Sequence, residues 1–398
     1  MKRVVVGLSG GVDSSVAALL LKEQGYDVIG VFMRNWHDES VILDDECPWI
    51  EDSNDAILVA EKLGIPYQVI DLSKEYKERI VDYMFKEYQN GRTPNPDILC
   101  NREIKFDLFL KAALQLKADY VATGHYCQKT TTDDNGKETH HLLAGADKGK
   151  DQSYFLCQLD QFQLSKAMFP IGHLQKNAVR ELAAAHDLVT ADKKDSQGLC
   201  FIGKVKLPTF LQQELEPKTG DIVEIPRNVK LHSKTLLTTE DDKLTPPEDL
   251  IFNEYDFSEV EGSMKVGQHN GAHYFTVGQR KGINVGGKKL PLFVLGTDTQ
   301  SNIIYVGQGE DHPGLMRDGL VIKQEDVHWL RTDLTLQRGE TKEYNLRIRY
   351  RQPLRKAKLT QMKNDLIIHF QVPEKSIAKG QFAAWYQGEE LIGSGVIS

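Results

Sequence analysis

Cysteine is scarce in this 398-residue chain, with five residues at Cys47, Cys100, Cys127, Cys157 and Cys200. An odd number, wide spacing and the lack of any CxxC pair argue against a disulfide framework and against a four-thiolate zinc site. A cysteine with a special task here does chemistry. Long apolar runs are missing too, none approaching the ~18 residues that a membrane span needs. The opening MKRVVVGLSGGVDSS is broken by Ser9, Gly10, Gly11 and Asp13 too early for the apolar region of a secretory signal. A soluble, cytoplasmic protein without membrane attachment is the expectation. Disordered and collagen-like classes are excluded by 40% apolar and 27% charged residues. The length suffices for two or three domains with buried cores.

The net charge of −8 speaks against a nucleic-acid partner until its distribution is read. Residues 236–262 hold nine acidic residues and one lysine, so the rest of the chain is neutral overall, and residues 338–358 hold eight basic and two acidic residues. The basic stretch is either an anion-binding face or a solvated strand edge whose charges resist aggregation.

Along the first 130 residues, short β-branched runs (VVVG 4–7, DVIGVFM 27–33, YQVIDL 67–72, DYVATGH 119–125) alternate with helical periodicity over 14–24, 53–63, 74–89 and 97–117. This alternation predicts an α/β fold, a Rossmann-like doubly wound parallel sheet with its ligand at the carboxyl ends of the strands. Beyond residue 205 the helical period fades. GDIVEI, HYFTVGQRKG, PLFVLGTDTQSNIIYVGQ, EYNLRIRYRQ, DLIIHFQV and FAAWYQGEELIGSGVI read as strands between Gly and Asn turns, giving two smaller β-rich domains, the last a β-barrel. The expected division is 1–204, 205–292 and 293–398, with the acidic 236–262 segment as an insertion or long hairpin in the central part.

The first strand runs straight into Gly7-Leu8-Ser9-Gly10-Gly11-Val12-Asp13-Ser14-Ser15 and then a helix. Two adjacent glycines allow a tight turn and a close ligand, while serine hydroxyls and helix N-terminal amides offer donors to an anion. No Lys-Ser/Thr pair follows, so this is not a Walker A loop. A bare Gly-Gly turn would be an ordinary strand–helix connection. The whole SGGVDSS in this setting resembles the PP-loop of N-type ATP pyrophosphatases, which split ATP into AMP and pyrophosphate. That resemblance implies ATP and Mg2+ as cofactors, with Asp13 as the metal ligand. It also implies nucleotide contacts from Gly7 through Ser14, and an adenine near Met33 and Gly124.

In TPNPDILCNREIKF (93–106), Pro94 and Pro96 keep the chain extended up to Asp97, which is expected to cap a helix carrying Cys100 in its first turn. The helix dipole there favours a thiolate, and Asp97 can exchange a proton one turn away. A buried structural cysteine beneath an ordinary aspartate cap is the plainer reading of that segment alone. A second loop, KKDSQGLCFIG (193–203), sets Cys200 after a glycine turn, with Lys193 and Lys194 partly offset by Asp192 and Asp195. Two loop-associated cysteines suggest a transient redox pair or a sulfur relay. Cys127 and Cys157 read as packing residues, and Cys47 has no assignment.

Taken in order, SGGVDSS, TPNPDILCNREIKF, GHY, KDQSYFL (150–156), DSQGLCFIG, GQRKGI (278–283) and RYRQ (349–352) resemble the tRNA-specific 2-thiouridylases over nearly the whole chain. The acidic stretch from 226 to 262 is longer than the link usual there. The resemblance implies 2-thiolation of the wobble uridine of tRNA, with ATP adenylating the uracil O2. Sulfur would arrive as a persulfide on Cys200, from a cysteine desulfurase or a sulfur-relay protein. Cys100 would either free hydrosulfide from that persulfide or resolve the intermediate as a Cys100–Cys200 disulfide, with Asp97 as general acid/base. The target base must leave its stack to be reached. By the same resemblance Asn95, Pro96 and Asp97 contact the base, while His125, Lys150, Asp151, Gln152, Arg349, Tyr350 and Gln381 contact the tRNA. The basic and aromatic composition around Arg349 and Tyr350 agrees, since such a surface suits phosphates and unstacked bases.

Three readings compete. A nitrogen-transferring PP-loop synthetase would need no cysteine pair. An iron–sulfur-dependent tRNA thiolase could draw three ligands from Asp97, Cys100 and Cys200, although no CxxC supports it. A non-catalytic RNA-binding protein would leave SGGVDSS and both cysteine loops without a purpose.

Overall fold

The computed structural model describes residues 1–35, 48–194, 207–228, 232–235 and 253–398. Cys47 and Cys200 lie outside the described residues. The β-branched runs of the first half pair into a parallel sheet of Tyr67–Asp71, Asp27–Arg34, Arg3–Gly7, Tyr120–Ala122 and Ala167–Met168, in that order across the sheet. Val4, Val5 and Val6 are all fully buried because alternate residues serve opposite faces. Val5 joins Ile29, Met33 and Val121 in one core, whereas Val4 and Val6 join Val16, Val28 and Val59 in the other. The strand order reverses beside Arg3–Gly7, so the carboxyl ends of that strand and of Tyr120–Ala122 open the crevice at which such sheets bind ligands.

The helix expected over 97–117 is helical from Pro96 to Gln115 but not uniform. Pro96–Leu99 is α-helical, Cys100–Leu108 is a π-helix and Phe109–Gln115 is α-helical again. A nine-residue π stretch is rare, and such wide turns occur mainly at functional sites.

In the central module Met264–His269, Gly220–Glu224, Ile303–Gln308 and Leu292–Asp298 form a four-stranded sheet in that order. The expected division after residue 292 therefore falls inside this module, because the strands 292–298 and 303–308 pair with its sheet and not with the barrel. HYFTVGQRKG is not a strand; its first two residues belong to a 3-10 turn at Ala272–Tyr274. His232–Thr235 and Asn253–Asp256 pair antiparallel at the two ends of the acidic stretch, and residues 236–252 between them lie outside the described residues.

Six strands then close a barrel: Met316–Trp329, Asp365–Lys375, Arg355–Gln361, Thr341–Arg347, Phe382–Gln387 and Glu390–Ile397, the last pairing with the first. The expected EYNLRIRYRQ strand stops at Arg347, and RYRQ is a turn with Arg351 at φ 62°. The barrel is welded to the first module. A hairpin of Cys127–Asp134 and Lys137–Ala144 joins the strand Glu390–Ile397 through Leu142 opposite Leu391 and Leu143 opposite Glu390. The Tyr154 hydroxyl donates to the carbonyls of Ile348 and Phe382, and Gln158 donates to the Ser394 hydroxyl at 2.7 Å. Among the described residues no helix is long and apolar enough to cross a membrane.

Candidate active site

The phosphate loop is shaped by what its glycines avoid. Gly10 has φ 73°, and a Cβ there would lie 2.2 Å from the Asp52 carbonyl oxygen. A Cβ on Gly124 would lie 2.7 Å from the Ser14 amide nitrogen, so the chain leaving Tyr120–Ala122 is pressed directly onto the first turn of the helix Val12–Glu23. Inside the loop the hydroxyls of Ser14 and Ser15 donate to the Gly11 carbonyl at 3.1 and 2.9 Å, and Ser9 and Ser14 hydroxyls stand 3.2 Å apart. Leu8 and Val12 are core residues, so only their backbone can serve a ligand. Ser9 is exposed, and Gly11 and Asp13 are half-buried at the crevice mouth. Met33 is buried, its Cε 3.2 Å from where Gly7 would carry a Cβ.

Asp13 has two partners that sequence reading missed. The Tyr126 hydroxyl donates to its Oδ1 at 2.6 Å, and Lys176 Nζ reaches both carboxylate oxygens at 2.8 and 2.9 Å. Lys176 opens the helix Lys176–Ala185, its backbone amide held by Asp147 at 3.0 Å, and its side chain is only 11% exposed. An ammonium thus stands beside the loop where a Walker lysine is lacking in the sequence. Nothing local to Lys176 signals this, since an ordinary helix start reads the same; the signal is a lysine on a later helix of the same sheet.

At the cysteine segment the cap is Asn95 and not Asp97. Asn95 Oδ1 accepts from the Ile98 amide at 3.2 Å, Pro96 occupies the first turn without an orphan amide to satisfy, and Asp97 follows half-buried. Cys100 is fully buried at the point where α-helix becomes π-helix. Cys127 and Cys157 are packing thiols, buried and pushed up in pKa by desolvation, Cys157 to about 12. Two centres share a wall. Gly124 abuts the phosphate loop, while the next residue, His125, has its ring 6.5 Å from Phe106 of the π-helix that begins at Cys100.

The segment that leads to Cys200 is anchored at its start. Thr190 donates to the Ser15 hydroxyl at 3.0 Å, Arg180 donates to the carbonyls of Ala191 and Lys193, and Lys193 pairs with Asp52 at 2.8 Å and with Asp55. The ammonium of Lys193 is therefore committed to the helix Pro48–Leu63 and its field is answered there.

The positions matched to tRNA contact divide into inward and outward groups. His125 is buried with Nδ1 2.7 Å from the Thr123 hydroxyl; burial and the Lys105 ammonium hold it well below its usual pKa, so its ring is neutral. Asp151 is buried, accepts from the amides of Gly145 and Ser153, and pairs with Arg347 at 3.1 Å. Gln152 accepts from the Tyr126 amide at 2.9 Å, and Pro96 is buried. Lys150 is half-buried, while Arg349 and Arg351 are exposed as residues around Tyr350, whose ring packs 4.5 Å from that of Phe155. The Arg349 guanidinium nevertheless donates to the Ser376 carbonyl, and burial lowers its pKa. Arg347 belongs to the core: its guanidinium stacks 4.8 Å over the Tyr386 ring besides pairing with Asp151. Arg347→Ala leaves a buried carboxylate without its cation and is expected to cost about 3 kcal/mol, at the low end for a broken buried pair because two amides still serve Asp151. Denaturant unfolding checks this.

Family models match the chain in three parts: a tRNA methyl transferase HUP domain over residues 2–204, a PRC-barrel domain over 248–308 and an aminomethyltransferase β-barrel domain over 319–397. The chain is 61% identical to the tRNA-specific 2-thiouridylase MnmA of Flavobacterium johnsoniae, covering 100% of both chains. It is 48% identical to that of Karelsulcia muelleri, over 100% of this chain and 99% of the relative, and 44% identical to that of Streptococcus pyogenes, over 99% and 94%. Matches of this extent mean that the chain belongs to the tRNA-specific 2-thiouridylase family.

Proposed function

We infer that this chain is an enzyme that 2-thiolates uridine in tRNA at the expense of ATP. The observation that carries the inference is the end-to-end identity of 61% to a tRNA-specific 2-thiouridylase. The substrate atom is the O2 of the wobble uridine, adenylated by ATP with release of pyrophosphate, and the reaction takes place in the cytoplasm. Ser9, Ser14 and the start of the helix Val12–Glu23 receive the phosphates. Asp13 is the loop's candidate ligand for Mg2+. Among the described residues no three His, Cys, Asp or Glu side chains converge, which suits a metal held by one carboxylate and by the phosphates of the nucleotide. When bound, Mg2+ offsets polyphosphate charge. Lys176, already on Asp13, is within reach to share that task.

Asp97 exchanges the proton at the uracil, and Cys200 carries a persulfide received from a cysteine desulfurase or a sulfur-relay protein. Cys100 then attacks Sγ of Cys200. The Cys100–Cys200 bond forms, the S–S bond of the persulfide breaks, and the sulfane sulfur leaves reduced, as hydrosulfide that displaces AMP from C2 or already as the 2-thio group. A cellular dithiol reopens the disulfide. Mass spectrometry of tRNA nucleosides tests the activity: 2-thiouridine disappears from cells lacking the protein and returns with the gene, and unchanged 2-thiouridine would sink the reading.

The turn around Tyr350 is the candidate phosphate contact. Replacing Arg349 and Arg351 by alanine is expected to weaken tRNA binding and flatten its log–log salt dependence by about 0.7–0.9 per lost contact, with ATP affinity unchanged. An unaltered slope would put the tRNA on another face.

A further inference from the structure

The residues 379–381, at the start of the barrel strand Phe382–Gln387, reach across to the segment that begins the helix of Asp97 and Cys100. The Thr93 amide donates to the Lys379 carbonyl at 2.7 Å. Gln381 Nε2 donates to the carbonyls of Thr93 and Pro94 at 2.9 and 3.1 Å, and Gln381 Oε1 accepts from Asn95 Nδ2 at 3.3 Å. The orientation of both amides follows from one fixed donor. Asn95 Oδ1 must accept from the Ile98 amide, so its Nδ2 faces Gln381 Oε1, and Gln381 Nε2 is left for the two carbonyls. Both amide hydrogens of Gln381 are thereby spent on protein backbone. The clamp is rigid on the barrel side, where the Gly380 amide donates to Ile397 and the Ile397 amide to Gln381. It is close on the other side: Gly380 has φ 87°, and a Cβ there would lie 3.0 Å from both the amide nitrogen and the carbonyl oxygen of Thr93.

We propose that Gln381, with the barrel residues 379–381, is a positioning element of the reaction, holding the Asn95 cap so that Asp97 and Cys100 stand in working register, and not primarily a tRNA contact. The proposal rests on the reading that Asp97 and Cys100 react. A cap held from a separate module sets the direction of a helix whose first four residues contain the acid/base group, and a shift of about 1 Å at such a group costs up to 10²-fold in rate.

Two variants test it. Gln381→Leu removes the three hydrogen bonds. Gly380→Ala removes no polar group that RNA could touch and only forces the clamp apart. Without tRNA, both should speed hydrogen exchange at the amides of Ile98, Leu99 and Cys100 about two- to tenfold, the range for losing one or more such bonds, while exchange in the parallel sheet stays slow. At saturating tRNA and ATP the thiolation rate should fall about ten- to hundredfold, with tRNA affinity unchanged. Unchanged exchange and an unchanged saturating rate, with weaker tRNA binding for Gln381→Leu alone, would overturn the proposal in favour of an RNA contact. Were the unaltered chain to make no 2-thiouridine, the functional reading would fall, and the exchange measurement would still decide whether the clamp holds the helix.

Discussion

Asp13→Asn should cut magnesium-dependent release of pyrophosphate from ATP by about 10³-fold or more, the order expected when roughly 4 kcal/mol of charge stabilisation is removed from a phosphoryl site. The asparagine keeps an oxygen for the Tyr126 hydroxyl and for Lys176, so the crevice wall stays in place. What it loses is the hard anionic ligand, and Mg2+ binds a neutral amide oxygen poorly. Thermal unfolding within a few degrees of the native protein would show that the loss is chemical. The products matter as much as the rate. AMP and pyrophosphate are expected from a loop without a Walker lysine, and release of ADP and phosphate would refute the assignment of this loop.

The second large effect is expected at the cysteines, and it is asymmetric. Cys200→Ser should lose both the protein-bound persulfide and all 2-thiouridine formation. Cys100→Ser should still accept the persulfide and yet make no 2-thiouridine, because nothing then attacks Sγ of Cys200. ATP affinity should survive in both, since neither sulfur belongs to the phosphate loop. Cys100 is fully buried, so its sulfur has to become accessible to Sγ of Cys200 in the course of the reaction. Persulfide labelling that followed Cys100 and survived loss of Cys200 would reverse the roles. Native-rate thiolation by either single variant would end the two-cysteine mechanism.

How much of this was legible in the sequence depends on how far apart the partners lie. SGGVDSS could be read because strand, turn and helix are contiguous and their requirements are local. Three strands of the parallel sheet were legible for the same reason, Arg3–Gly7, Asp27–Arg34 and Tyr120–Ala122 being apolar runs with buried centres. The two edge strands carry less signal: Tyr67–Asp71 is partly exposed and Ala167–Met168 has only two residues. Lys176 was not, because it meets Asp13 only once the last strand of the sheet has been laid down, and a lysine at a helix start carries no mark of its partner. Arg347 misled in the opposite sense. It is one of the eight basic residues of the 338–358 stretch, which as a whole looked like a surface, whereas its partner Asp151 comes from a different module. The cap was read two residues late, at Asp97 and not at Asn95, because both types cap well, and the Asn95 side chain also meets Gln381, a partner from the far end of the chain that no local pattern reveals. A π-helix leaves no periodic trace that distinguishes it from an α-helix over nine residues.

The pairing of Leu142 with Leu391 also sets a schedule for biosynthesis. At ~5–20 residues per second the ribosome needs roughly 12–50 s to deliver the barrel strand after the hairpin has emerged. During that interval the hairpin has an unpaired edge, and Tyr154, Cys157 and Leu142, all fully buried in the finished protein, have no barrel to cover them. The nascent chain must therefore carry its nucleotide crevice, complete in sequence but unfinished at one flank, for most of its synthesis. A chain cut after the central module would remain in that state, with the edge open to other copies of itself.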